Sequence, residues 1–176
     1  MSPAQPMGEP LPGVGELPQR VAAPAPDGSE RPFSVYLHVP YCRVRCGYCD
    51  FNTYTNLTMG QGASAEDFVG TLAGELRAAR SAMDSAGLPV RPAQTVFVGG
   101  GTPTMLPACD LATMLELVRE CFGLAPDAEV TTEANPDSVD EAGLAALAEG
   151  GFTRVSFGMQ SAVPHVLKVL ERTHEP

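Results

Sequence analysis

Cys42, Cys46 and Cys49 stand in the stretch "HVPYCRVRCGYCDFNTY" (38–54) and are three of the chain's five cysteines. Spacings of x3 and x2 let one loop aim three sulfurs at one centre. A structural zinc site takes four ligands in a closed tetrahedron, so a fourth would have to come from His38, His165 or a distant cysteine. Cys121 shares an apolar helical face with Leu111, Met114, Leu115 and Val118, where an inert buried thiol is the default. Cys109 precedes a predicted helix and reads as a small buried or half-exposed thiol. A four-iron cluster is usually held by four thiolates. Three thiolates leave one iron open, which is what catalysis or substrate binding requires. Iron–sulfur chemistry therefore ranks ahead of zinc, with a reactive redox thiol loop as the remaining alternative.

Four strand-then-helix units must position this loop. The β-branched and aromatic run 34–40 is the first strand, and 64–87 is its helix, with Ser64 and Asp67 in capping positions. In that helix Phe68, Leu72, Leu76, Ala79 and Met83 recur at helical spacing. The second strand, 94–103, runs into "GGGTP" and is followed by a helix over 110–122 capped by Asp110. The third strand covers 128–136; its helix, 138–151, opens on a Ser138/Glu141 capping box and stops at a glycine pair. A fourth strand over 153–160 precedes a helix over 164–172 with Pro164 in its first turn.

Apolar strands alternating with helices predict an α/β fold with a parallel sheet. Ligands of such sheets bind beyond the C-terminal strand ends. One rim then gathers the cysteine loop, the glycines after strand two, Glu133 at the end of strand three and Gln160 at the end of strand four. The glycines let the main chain approach a ligand closely, yet "GGGTP" matches no phosphate-loop pattern. Four units neither close a barrel nor complete a doubly wound sheet, so the expected object is a partial (β/α) barrel truncated at its C-terminus.

Composition bounds the rest. Residues 1–32 hold eight of the 17 prolines and no aromatic residue, and read as a disordered Pro-rich tail ahead of a domain over 33–176. No basic residue flanks a clear PxxP core, which disfavours a docking ligand there. Net charge is −10, with one lysine and no concentrated basic stretch, which argues against nucleic acid and an anionic membrane surface. No run approaches the roughly 20 apolar residues of a bilayer span, and no signal peptide is recognisable. The expected location is cytoplasmic, where clustered thiols stay reduced.

The motifs "SVYLHVPYCRVRCGYCDF", "FVGGGTPTML", "TTEANPDS" and "SFGMQS" resemble, in this order, those of the radical S-adenosylmethionine (SAM) superfamily. They are similar to its oxygen-independent coproporphyrinogen III oxidase-like family, over residues 34–174. The resemblance implies that Cys42, Cys46 and Cys49 ligate a 4Fe-4S cluster whose unique iron is chelated by SAM. It implies cofactor contacts at Tyr36, Tyr48, Gly100, Gly101, Thr102, Glu133, Gln160 and Arg172. Main-chain N–H or carbonyl groups of the glycine turn would lie near the methionine moiety. Without the family, the tyrosines would be packing residues, Glu133 a solvated carboxylate and Arg172 a surface helix residue. His38 reads as a structural histidine, and His174 matches an arginine–x–histidine segment of unassigned role.

The reaction implied is one-electron cleavage of SAM to methionine and a 5′-deoxyadenosyl radical. In the oxidase branch this leads to decarboxylation of coproporphyrinogen III. Those oxidases commonly carry a further cysteine two residues after the third, where this chain has Phe51. "CDF" therefore resembles the HemW-type haem-chaperone branch, whose partners are haem, a haem-acceptor protein and an electron donor. A radical SAM oxidase acting on a porphyrinogen and a zinc-stabilised interaction domain are the alternatives.

Overall fold

Strands rich in Val, Leu and Thr need both neighbours and cover, and here they find them in sequence order. The computed structural model describes residues 31–58 and 64–176. The predicted tail lies almost wholly outside the described residues. Strand β1 (Ser34–Val39) leads by a long loop to helix α1 (Phe68–Ser85). Then come β2 (Ala93–Gly100), a 3-10 turn (Pro103–Met105), α2 (Ala108–Phe122), β3 (Leu124–Ala134), α3 (Glu141–Glu149), β4 (Arg154–Phe157) and α4 (Pro164–Val169). The four strands form one parallel sheet in the order β1-β2-β3-β4. An order that never reverses lacks the switch point of a doubly wound sheet. It is the order of a (β/α) barrel wall.

Period-two alternation splits the sheet faces. Leu37, Val39, Val96, Val98 and Val130 point to the helices. There they meet Leu72 and Leu76 of α1, Leu111, Met114, Leu115 and Val118 of α2, and Leu147 of α3 in one buried cluster. The opposite face carries Tyr36, His38, Phe97, Glu133 and Arg154 and has no helical cover among the described residues. Helices on one face only, against a sheet of constant order, are the geometry expected of a barrel segment.

Element ends differ from expectation where capping was read from residue type alone. Asp110 lies inside the first turn of α2, whose N-cap is Pro107. Ser138 does not cap α3: Asp140 does, its carboxylate accepting from Gly143 N at 2.8 Å. The Ser138 hydroxyl instead donates to Asn135 O (2.8 Å) and accepts from Asn135 N (2.9 Å), closing the turn after β3. Ser64 accepts from Asp67 N (3.1 Å) and donates to the Asp67 carboxylate (2.8 Å), so it ties down the turn that leads into α1. Strands β2 and β4 end at Gly100 and Phe157, earlier than predicted: Gly99 and Gly100 still pair with β1, and the ladders stop before Gly101 and Gly158. Strand β3 begins at Leu124 instead of 128, extended by pairing of Leu124 with Ala93.

Candidate functional site

The cysteine loop leaves β1 at Pro40 and makes little secondary structure of its own. Its ends are pinned by Tyr54 N donating to Pro40 O (2.7 Å) and Cys42 N donating to Tyr54 O (2.9 Å). Inside, one turn closes from Cys49 N to Cys46 O (3.0 Å). His38 anchors the far side. Its Nε2 meets Asn52 O at 2.9 Å, and a carbonyl can only accept, so the proton sits on Nε2. Its Nδ1 then accepts from Tyr36 OH at 2.9 Å. His38 is thus a structural histidine, as its strand position implied.

The glycine turn after β2 admits this loop. A Cβ on Gly101 would lie 2.5 Å from Tyr41 O and 3.0 Å from Cys42 Sγ, and one on Gly100 (φ 114°) would strike the His38 ring at 2.5 Å. Gly100 N donates to Glu133 Oε2 (3.0 Å), Gly101 N to Val39 O (2.8 Å) and Thr102 N to Tyr41 O (2.7 Å). All three N–H groups are engaged by the protein. The Thr102 carbonyl also accepts from Met105 N (2.9 Å).

Beyond the C-terminal strand ends these parts enclose a cavity of ≈ 260 Å³. Its walls bring together Cys42, Cys46, Cys49, Tyr48, Gly100, Gly101, Thr102, Glu133, Gln160 and Arg172. That is every predicted site residue except Tyr36. The Tyr36 ring sits lower on the open sheet face, stacked on Phe97 at 6.1 Å between centroids. Burial and then the Glu133 carboxylate push its phenol pKa above the ordinary value.

The three thiols are unpaired. Burial pushes the Cys42 thiol up, opposed by hydrogen bonding from Thr102 and, more weakly, Thr53. Thr102 Oγ1 lies 3.9 Å from Cys42 Sγ, and Arg172 Nη1 donates to Cys46 Sγ at 3.3 Å. Burial, followed by the Cys46 sulfur, raises the Tyr48 phenol, with Arg172 opposing. One buried polar atom of the cavity wall, Arg172 Nε, has no protein partner of its own. Three unpaired thiols and the unmet Arg172 Nε on one wall fit a polar cofactor bound against a metal–sulfur group. Among the described residues no three His, Cys, Asp or Glu side chains converge on one metal-ion position.

Cys109 is exposed, which corrects the expectation of a buried or half-buried thiol. Cys121 packs partly against the core, remote from the loop in the fold, and its carbonyl accepts from Arg80 at 2.7 Å. His174 is buried, with Nε2 donating to Met159 O at 3.0 Å.

A family model described as the radical SAM superfamily matches residues 36–176. The chain belongs to that superfamily. The superfamily pairs a 4Fe-4S cluster with SAM, the chemistry that a three-cysteine loop with an open fourth position serves. Over 166 residues the radical SAM chain is 47% identical to the heme chaperone HemW of Mycobacterium tuberculosis, covering 94% of this chain and 38% of that protein. It is 37% identical over 145 residues to heme chaperone HemW of Escherichia coli, covering 82% and 36%. Among solved structures it matches the coproporphyrinogen III oxidase HemN of Escherichia coli, a radical SAM enzyme, with a TM-score of 0.68 and 30% identity over 83% of this chain and 32% of that one. The chain thus spans under two fifths of the length of these proteins.

Sequence reading missed Asn135, Arg43 and Asp137. Arg43 Nη1 pairs with Asp137 Oδ2 at 3.4 Å, and Asp137 Oδ2 also accepts from Thr173 Oγ1 at 2.5 Å. Asn135 bonds both Thr102 and Arg172. Only its place at the end of a rim strand, within "EANP", could have drawn attention to it. No helix among the described residues is long and apolar enough to cross a membrane.

Proposed function

We propose that this chain is the cluster- and SAM-binding part of a haem chaperone that hands haem to acceptor proteins. The observation that carries the reading is the content of one cavity: Cys42, Cys46 and Cys49 line it together with Phe51, at the position where the oxidase branch would place another thiol. Phe51 is 59% exposed, an apolar ring at the mouth instead of a sulfur ligand. The 47% identity to a heme chaperone supports the same branch.

In this reading Cys42, Cys46 and Cys49 hold the cluster, and SAM lies against the glycine turn. When bound, the cluster supplies one electron toward the SAM sulfonium. The rest falls to the chain's own groups. The Gly100 and Gly101 carbonyls accept from an ammonium group. Glu133, fixed by Gly100 N, offers its remaining carboxylate oxygen to ammonium or ribose hydroxyls. Gln160 supplies amide donors and an acceptor, and the Arg172 positive charge attracts a carboxylate. Tyr48 and Phe51 shield the mouth from water. Tyr36, outside the cavity wall, acts on this site through His38 and Glu133.

Likeness to a solved coproporphyrinogen III oxidase keeps radical decarboxylation as the second reading. The full chain, anaerobically reconstituted, discriminates. Iron and sulfide near four per chain, a haem-dependent Soret band and transfer of that haem to a haem-requiring apoprotein are expected. Conversion of coproporphyrinogen III to protoporphyrinogen IX would establish the oxidase instead. Zinc without iron or sulfide would defeat both.

A further inference from the structure

A single hydrogen-bonded chain joins two of the three loop cysteines through a residue that touches neither. Arg172 Nη1 donates to Cys46 Sγ (3.3 Å), and Arg172 Nη2 donates to Asn135 Oδ1 (2.5 Å). Asn135 Nδ2 donates to Thr102 Oγ1 at 3.1 Å, and Thr102 Oγ1 lies 3.9 Å from Cys42 Sγ. Arginine has no acceptor, so its partner on Asn135 must be the carbonyl oxygen, and the amide NH2 must face Thr102. Thr102, already accepting from the amide, keeps its own proton for the Cys42 sulfur. The direction of every donor is therefore fixed, and both ends of the chain point at sulfur.

Asn135 is held for this task. Its main-chain N–H and C=O are both engaged by the Ser138 hydroxyl, which also bonds Thr104 Oγ1 at 2.6 Å. Arg172 is held as well, by a short contact to Gly158 O and by the adjoining Thr173–Asp137 bond.

We propose that Asn135 is a positioning residue that aims two donors at cluster sulfurs, Thr102 at Cys42 and Arg172 at Cys46, and so raises the cluster's reduction potential. This rests on the cluster reading above. Hydrogen bonds to cluster sulfurs stabilise the more negative, reduced form and are among the terms that set the potential.

The test is a redox titration of the reconstituted full chain, followed by the electron paramagnetic resonance signal of the reduced cluster. Asn135→Ala, Thr102→Val and the double variant are compared with the parent. Asn135→Ala is expected to lower the reduced-to-oxidised ratio at a fixed potential by about tenfold, or roughly 59 mV for a one-electron couple. The double variant is expected to shift less than the sum of the singles, because both cut one chain. Asn135→Ala with full iron and an unmoved potential overturns the proposal, as do strictly additive shifts. Should Asn135→Ala fail to take up iron, Thr102→Val decides alone, since it cuts the chain one link nearer the sulfur. An unmoved potential there overturns the proposal as well. A parent chain that binds no iron and sulfide sinks the cluster reading itself, which is a different result.

Discussion

The sheet–helix body and the cysteine loop are stabilised by opposite means. In the body, Leu111, Met114 and Val118 are fully buried and lie against strands whose ladders satisfy their own backbones. Its stability is spread over many apolar contacts, none of which needs a particular partner. The loop from Cys42 to Asn52 has one internal backbone turn and is otherwise held by a few polar contacts from elsewhere: Cys42 N to Tyr54 O, His38 to Asn52 O, Arg43 to Asp137, Arg172 to Cys46. Each of these rests on one or two atom pairs. The body can thus absorb substitution and the loop cannot, which suits a scaffold that carries a reactive site.

Four tests break or sharpen this contrast. The largest effect is expected on the loop. Cys46→Ala should abolish cluster uptake, while Cys121→Ala, on the body, should leave the iron content at the parental level. Equal iron in both would show that the ligand assignment is wrong. Next, Leu111→Ala should cost about 2–5 kcal/mol in denaturant unfolding of the full chain, the range for emptying a packed core position. Any cluster taken up by its folded fraction should have a parental spectrum. A perturbed cluster with unchanged stability would reverse the roles given to the two regions.

Gly101→Ala tests their junction. Its Cβ would sit 2.5 Å from a backbone oxygen, which no side-chain rotation relieves. A cost of about 1–3 kcal/mol is expected from such overpacking, along with weaker SAM binding by equilibrium dialysis. Unchanged SAM affinity would place the cofactor elsewhere.

The smallest effect concerns Asp137. Burial alone would raise its carboxyl, but the Thr173 hydroxyl, its own backbone N–H, Arg43 and His174 together hold it below the ordinary value. A lowered folded-state pKa contributes stability that is present above the unfolded pKa, about 3.9, and is lost as pH falls through the folded value. Asp137→Asn should therefore be less stable than the parent near neutral pH, by about 0.2–1 kcal/mol given the exposure of Arg43. The two should converge in strong acid. A difference that persists unchanged at low pH would show that the Asp137 charge does not hold Arg43 and the loop.

Much of this was legible in one dimension. Alternating apolar strands and periodic helices, with glycines at the strand ends, specify the parallel sheet and its functional rim, because periodicity is local and repeated. The spacing of the three cysteines ranks iron–sulfur chemistry ahead of zinc, and the four ordered motifs carry the resemblance that makes it a cluster site. Helix caps were less legible: Ser138 has the right type and spacing for a capping box, yet its hydroxyl closes the turn on Asn135, and Asp140 takes the cap. Two nearby polar groups competed, and local geometry decided between them.

The order of the elements and the three clustered thiols are properties of the sequence itself, since each arises from residue type and spacing within a few turns of chain. Which polar atoms meet is a property of the tertiary fold alone. Asn135 lies more than thirty positions from both Thr102 and Arg172, and Arg172 lies 126 from Cys46. A hydrogen bond requires partners within about 3 Å and correct alignment. Only the docking of the strand ends against one another brings such distant atoms to that distance.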